Sequence, residues 1–101
     1  MPAYIVANVS IEDAAKYEEY KKAAPPSIAK HGGRYIARAG RSEALEGAMP
    51  RQRLVLLEFP SYEAAKQWWD STEYADAKAL RQSCARSDII LIEGTPPGFT
   101  P

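Results

Sequence analysis

The sequence holds one cysteine, Cys84, and one histidine, His31, and these two shortages remove whole classes of function. A lone cysteine excludes an intrachain disulfide, and one histidine beside it cannot make a Cys/His set spaced to hold zinc. A charge imbalance is missing too. Thirteen Lys and Arg face thirteen Asp and Glu, and the basic residues are scattered rather than gathered on one helix or arm, so no electrostatic footprint marks nucleic acid or an anionic membrane as a partner. No apolar run approaches the roughly 20 residues needed to span a bilayer. Met1-Pro2-Ala3-Tyr4 opens without the basic segment and long apolar stretch of an export signal, so a cytoplasmic protein is expected. Nor is there a phosphate-cradling glycine loop or a nucleophile-base-orienter set. No cofactor and no metal are expected.

What is present is a repeat. Val9-Ser10-Ile11-Glu12-Asp13-Ala14-Ala15-Lys16 closes an apolar run and opens a helix, and Phe59-Pro60-Ser61-Tyr62-Glu63-Ala64-Ala65-Lys66 does the same in the second half. Each copy runs through an aromatic helix into another apolar run, so the 101 residues read β-α-β twice. That length suits a single domain, placed at 1–94, with a proline-rich tail at 95–101.

Residues 4–9, short, β-branched and aromatic, favour a strand. Ser10 is expected to cap the first helix by accepting from the amide of Asp13. That helix carries Tyr17, Ala24 and Ile28 on an apolar stripe, and Pro25-Pro26 are expected to kink or restart it. Lys30-His31-Gly32-Gly33 should end it, with a glycine at positive φ. Residues 34–39 form the second strand and 53–59 the third; the connection 40–52, long for a hairpin, is a candidate binding loop or extra β-arm. Ser61 caps the second helix, which Asp70 or Ser71 restarts with Glu73 in the new first turn. Trp68 and Trp69, about 100° apart around a helix, must divide between core and rim. Residues 88–93 form the fourth strand, and the tail has too many prolines to pair but could dock through Phe99.

Two β-α-β units with right-handed crossovers interleave into an α+β, ferredoxin-like β-α-β-β-α-β fold: a four-stranded antiparallel sheet, order 4-1-3-2, with both helices on one face. Nothing in the chain covers the other face. Yet Leu54-Val55-Leu56-Leu57 and Ile89-Ile90-Leu91-Ile92 are apolar at consecutive positions, where a half-solvated sheet would alternate. A homodimer joined sheet to sheet, burying roughly 800 Å² per subunit or more, would account for this.

With these strands placed, Gly32-Gly33-Arg34-Tyr35, Arg38-Ala39-Gly40, Glu46-Gly47, Glu58-Phe59-Pro60-Ser61, Trp68, Ser71-Thr72-Glu73-Tyr74, Arg81 and Glu93-Gly94 closely resemble the domain of unknown function 1330 family over almost the whole chain. The resemblance implies the dimeric α+β barrel superfamily and no established reaction. Relatives in that superfamily include cofactor-free monooxygenases, haem-degrading enzymes, small-lactone isomerases and stress-related dimers, and fold kinship does not choose among them. The haem-degrading members pair an asparagine on the first strand with a tryptophan and a histidine on the second helix. Asn8 and a tryptophan are available here, but the second helix has no histidine, so that constellation is incomplete.

Strand parity, if no strand is bulged, places Tyr4, Val6, Asn8, Arg34, Ile36, Arg38, Leu54, Leu56, Glu58, Ile89, Leu91 and Glu93 on one face. Glu58 and Glu93 are then candidate catalytic bases, and Arg34, Arg38, Asn8 and Tyr4 candidate ligand contacts. The competing reading of the same charges is a set of ion pairs that sets the register of the sheet or dimer. Histidine is the residue type that ordinarily changes charge near neutral pH, which makes His31 an acid-base candidate, yet its place in the last helical turn is also where a histidine complements the helix dipole. Cys84, at helical spacing from Ala77 and Leu80, reads as a core thiol rather than a nucleophile. Two functions remain in play: a cofactor-independent enzyme or binder of a small organic molecule, and a non-catalytic stress or accessory dimer whose surfaces are its function.

Overall fold

The computed structural model describes residues 1–48 and 53–100. Four strands, β1 (Ala3–Ile11), β2 (Arg34–Arg38), β3 (Arg53–Phe59) and β4 (Ala85–Glu93), make one antiparallel sheet of order β2-β3-β1-β4. This is the expected order read from its other edge. Helices α1 (Ala14–Lys30), α2 (Tyr62–Asp70) and α3 (Thr72–Cys84) complete the chain.

β1 and β4 are both longer than their apolar runs. Ser10 pairs with Arg86 and Ile11 with Ala85, so Ser10 is strand rather than cap. Asp13 caps α1 instead, accepting from the Lys16 amide at 3.2 Å, while the Glu12 and Asp13 amides both donate to the Cys84 carbonyl. The prolines do not break α1, which is continuous through Pro25 and Pro26. Each proline lacks the N–H that would bond four residues back, and tertiary contacts compensate. Ala24 and Ile28 are buried in the core, and Arg38 donates to the carbonyl of Lys21 that Pro25 leaves free.

At the end of α1, Gly32 takes φ +78°, and the Gly32 and Gly33 amides return to the Ala29 and Ile28 carbonyls. Ser61 caps α2, accepting from the Ala64 amide. Ser71 both ends α2, donating to the Trp68 carbonyl, and caps α3, accepting from Tyr74. Trp68 is buried against Phe59 and Tyr74, and Trp69 sits half-buried beside it. The core between sheet and helices holds Ile5, Leu57, Phe59, Ala65 and Trp68, with Val9, Tyr17, Cys84 and Ala85 in a second cluster. Residues 40–48 carry no strand, and 49–52 of the expected loop or arm lie outside the described residues. Phe99 is 57% exposed rather than docked.

Two parity assignments change. Val6 pairs with Leu56 on one side and Ile90 on the other, and Tyr4 with Ile92. Ile90 and Ile92 therefore lie on the helix-free face, while Ile89, Leu91 and Glu93 point to the helix side. A run of four apolar residues has no alternation to show which members face inward; only the register with β1 decides it. In β2 the register slips between Tyr35 and Ala37, so that Ala37 rather than Ile36 stands opposite Leu56 and Arg38 opposite Val55. This bulge turns Arg38 from the open face to the helix side.

Candidate ligand site

The six residues singled out from strand parity separate into two groups. On the open face Tyr4, Glu58 and Arg34 form one row across β1, β3 and β2. Arg34 reaches Glu58 Oε1 at 2.9 Å through Nε and through Nη2. Mostly exposed on the arginine side, this cross-strand pair ties β2 to β3 and contributes little more than register. Asn8 lies on the same face, opposite Leu54 and Asp88. Glu93 is exposed on the edge strand opposite Ala3. Arg38 lines a cavity.

That cavity, about 40 Å³, lies between the sheet and the helices. α1 presents Tyr17 and Tyr20 to it, with ring centroids 5.3 Å apart. Across from them α3 places Tyr74, whose ring stacks on Trp68 at 4.0 Å and whose hydroxyl lies 2.9 Å from that of Tyr20. One and two turns further along α3 the same face reaches Ala77 and Arg81. Arg81 is only 4% exposed. It donates from Nε to the Tyr74 hydroxyl at 3.4 Å and from Nη1 to Ser87 Oγ at 3.2 Å. From the sheet, Arg53 lies opposite Val9 on the helix side, with its guanidinium 5.5 Å from the Tyr17 ring centre. Arg38 covers the Tyr35 ring at 4.3 Å, and both line the cavity.

The electrostatics are one-sided. Three guanidinium groups and the Lys21 side chain line the cavity, and none of the described residues lining it is Asp or Glu. Lys21 has its own partner in Glu18, 2.9 Å away on the outer surface of α1. Burial pushes up the phenols of Tyr17, Tyr20 and Tyr35, so they remain neutral. Burial works against the charge on Arg81 while the hydroxyl oxygens of Tyr74 and Tyr20 favour it, and the guanidinium stays protonated. Arg53 Nε and Arg81 Nη2 are buried without a hydrogen-bond partner among the described residues. Such groups are rare in native proteins and ask for an acceptor. The cavity exceeds the ~10–15 Å³ that one water needs.

Two candidates from outside the sheet are accounted for structurally. His31 caps the C-terminus of α1 and its Nε2 lies 2.9 Å from Glu73 Oε1. Cys84 is fully buried in the core and burial pushes its thiol up, away from nucleophilic character. No group of three His, Cys, Asp or Glu side chains placed to hold a metal occurs among the described residues.

Sequence reasoning found Arg38 but not Arg53, Arg81 or the tyrosine wall. A signal for two of them was there: Arg53 shares the parity of Val55, Leu57 and Phe59, and Arg81 falls on the stripe of Tyr74, Ala77 and Cys84. A charged residue at a core-facing position is the anomaly that marks a built site.

The family described as Domain of unknown function (DUF1330) matches residues 2–95. This chain belongs to that family. Solved structures similar to this DUF1330 member include the RPA0582 protein of unknown function from Rhodopseudomonas palustris, with 19% identity and a TM-score of 0.76 over 95% of this chain and 84% of that one. SnoaB, a cofactor-independent oxygenase from Streptomyces nogalater, shares 8% identity with a TM-score of 0.67, covering 96% of each chain. Rv0793 from Mycobacterium tuberculosis shares 12% identity with a TM-score of 0.57 over 98% of this chain and 100% of that one. These likenesses establish a shared fold, the ferredoxin-like antiparallel sheet packed against helices. No curated protein matches the chain.

Proposed function

We propose that this DUF1330 member is a homodimer that binds a small organic molecule in the cavity between sheet and helices of each subunit, as a cofactor-independent enzyme or a dedicated binder. The observation that carries the reading is the pair of buried, unpartnered guanidinium nitrogens on Arg53 and Arg81 in a cavity walled by tyrosine and tryptophan. A stability-driven core would not retain cations whose N–H groups have nothing to bond, because each such group costs about 1–3 kcal/mol. Their retention points to a ligand that completes them. SnoaB, similar in fold, is a cofactor-independent oxygenase, so oxygen consumption without added cofactor is the first activity to assay.

The homodimer reading rests on the open face. Leu56, Val6 and Ile90 form one row across three strands, and Ile90 and Ile92 are 60% and 55% exposed. A contiguous apolar face of this kind suits a second copy of the same sheet.

The test of ligand binding is native mass spectrometry of protein taken gently from its own cells. A dimer carrying a small-molecule mass that collisional activation removes is the expected result. Ligand-free protein, together with no small-molecule hit in a neutral and charged fragment screen, would overturn the reading.

A further inference from the structure

Resting on that cavity as the ligand site, we infer that its ligand is a planar organic anion whose carboxylate, or equivalent delocalised oxyanion, is held by Arg53 and Arg81. Every charged group in the described lining is a cation that can only donate. Arginine has no acceptor, and Arg53 Nε and Arg81 Nη2 have N–H groups unspent. The phenols add another donor. Tyr74 accepts from Arg81 Nε and shares one hydrogen bond with Tyr20, so of the two phenolic hydrogens only one is used between them and the other is left for a third partner.

A lining whose charged groups are all donating cations, with no carboxylate among them, selects an anionic acceptor, and an ionised carboxylate is such a group. Water would accept these bonds but would leave the charge of the buried guanidinium of Arg81 without a counter-ion, the costly arrangement in a dry interior. The described lining supplies no carboxylate of its own to do so. Size and shape limit the rest of the molecule. A cavity of about 40 Å³ admits the charged head, and the half-buried rings of Tyr35 and Trp69, both in the lining, each carry a cation, Arg38 at 4.3 Å and Lys78 at 4.7 Å, and have a second face for an unsaturated body. Arg38, the exposed lining residue, stands where a second anionic or carbonyl oxygen on that body would lie.

The chain's two tryptophans both line the cavity, so intrinsic fluorescence reports on it directly. Benzoate is the probe, its neutral isostere benzamide and inorganic phosphate the comparisons, with thermal melting in parallel. Saturable quenching by benzoate is expected at least tenfold tighter than by benzamide. It should weaken at least tenfold in Arg53→Met and in Arg81→Met, and not at all in Arg86→Ala, which removes a surface cation. If Arg81→Met fails to fold, Arg53→Met decides.

Equal binding of benzoate and benzamide would overturn the anion inference while leaving the cavity as a ligand site. Phosphate competing as well as benzoate would also overturn it, by showing a bare anion hole indifferent to the organic body. Quenching by none of the three, with no rise in melting temperature, would show that water alone occupies the cavity and would count against the ligand site itself.

Discussion

Arg38 donates from Nη2 to the backbone carbonyl of Lys21, 3.1 Å away. Lys21 is four residues before Pro25, which has no N–H for that carbonyl, so a side chain on the edge strand supplies the bond that the helix cannot. The β2 bulge makes this possible by turning Arg38 inward. It explains both the continuity of α1 and the presence of Arg38 in the cavity.

Arg38→Ala should therefore destabilise the protein by about 1 kcal/mol, the value of an ordinary hydrogen bond rather than a charged one because Arg38 is exposed. In the Pro25→Ala background, where the helix recovers its own donor, the same substitution should lose most of its effect. Urea denaturation of the double-mutant cycle measures the coupling. Equal effects in both backgrounds would remove the link between the arginine and the proline.

The turn after α1 makes two different demands. Gly32 sits at φ +78°, and Gly32→Val should cost more than ~1 kcal/mol because a branched side chain cannot relax there. At Gly33 a Cβ would stand 2.6 Å from Phe59 Cε1 and 2.8 Å from Ile28 Cγ2. Even Gly33→Ala should cost about 1–3 kcal/mol through overpacking. Gly40, where an added methyl group would meet nothing within 4 Å, should tolerate alanine within about 0.5 kcal/mol. Chemical denaturation of the three variants separates backbone from packing.

On the open face, Ile90→Asp or Leu56→Asp should turn the dimer into monomer or aggregate, since either places a charge in the middle row of the apolar patch. Sedimentation velocity at micromolar concentration is the measurement, and a stable wild-type monomer there would remove the dimer proposal. Leu91→Asp should act differently. Leu91 packs against the helix-side core, so that variant should lose folding stability rather than association alone.

Glu73 ties α3 to the end of α1, and its hydrogen bonds from His31 and then from Thr72 hold its pKa below the ordinary 4.5. A carboxyl lowered on folding stabilises fully above its unfolded pKa and loses that contribution as pH falls through its lower folded value. Melting temperature should thus fall on acidification below about pH 4.5, and Glu73→Gln should flatten the curve in that window. The exposed position keeps the effect small. An unchanged acid limb in the variant would show that other carboxylates govern it.

The repeat of strand, cap and aromatic helix determined the fold from sequence alone, because hydrophobic period, serine caps and glycine stops are local signals. Ser61 caps as read, Ser71 proves to be the restart of the Asp70–Ser71 alternatives and Gly32 the glycine at positive φ, while Asp13 takes the cap expected of Ser10; the strand order follows from right-handed crossovers, and Trp68 and Trp69 divide between core and half-buried rim. Sites depend on which face a residue occupies, and there local signals ended. Ile89-Ile90-Leu91-Ile92 has no alternation, so only pairing with β1 assigned Ile90 and Ile92 outward. One extra residue in β2 sent Arg38 to the helix side while Arg34 stayed with Glu58. Arg53 and Arg81 carried a legible anomaly, a charge at a core-facing position. But their meeting with Tyr17, Tyr20 and Tyr74 joins a strand to two helices distant in sequence, and only tertiary packing could bring those donors around one cavity.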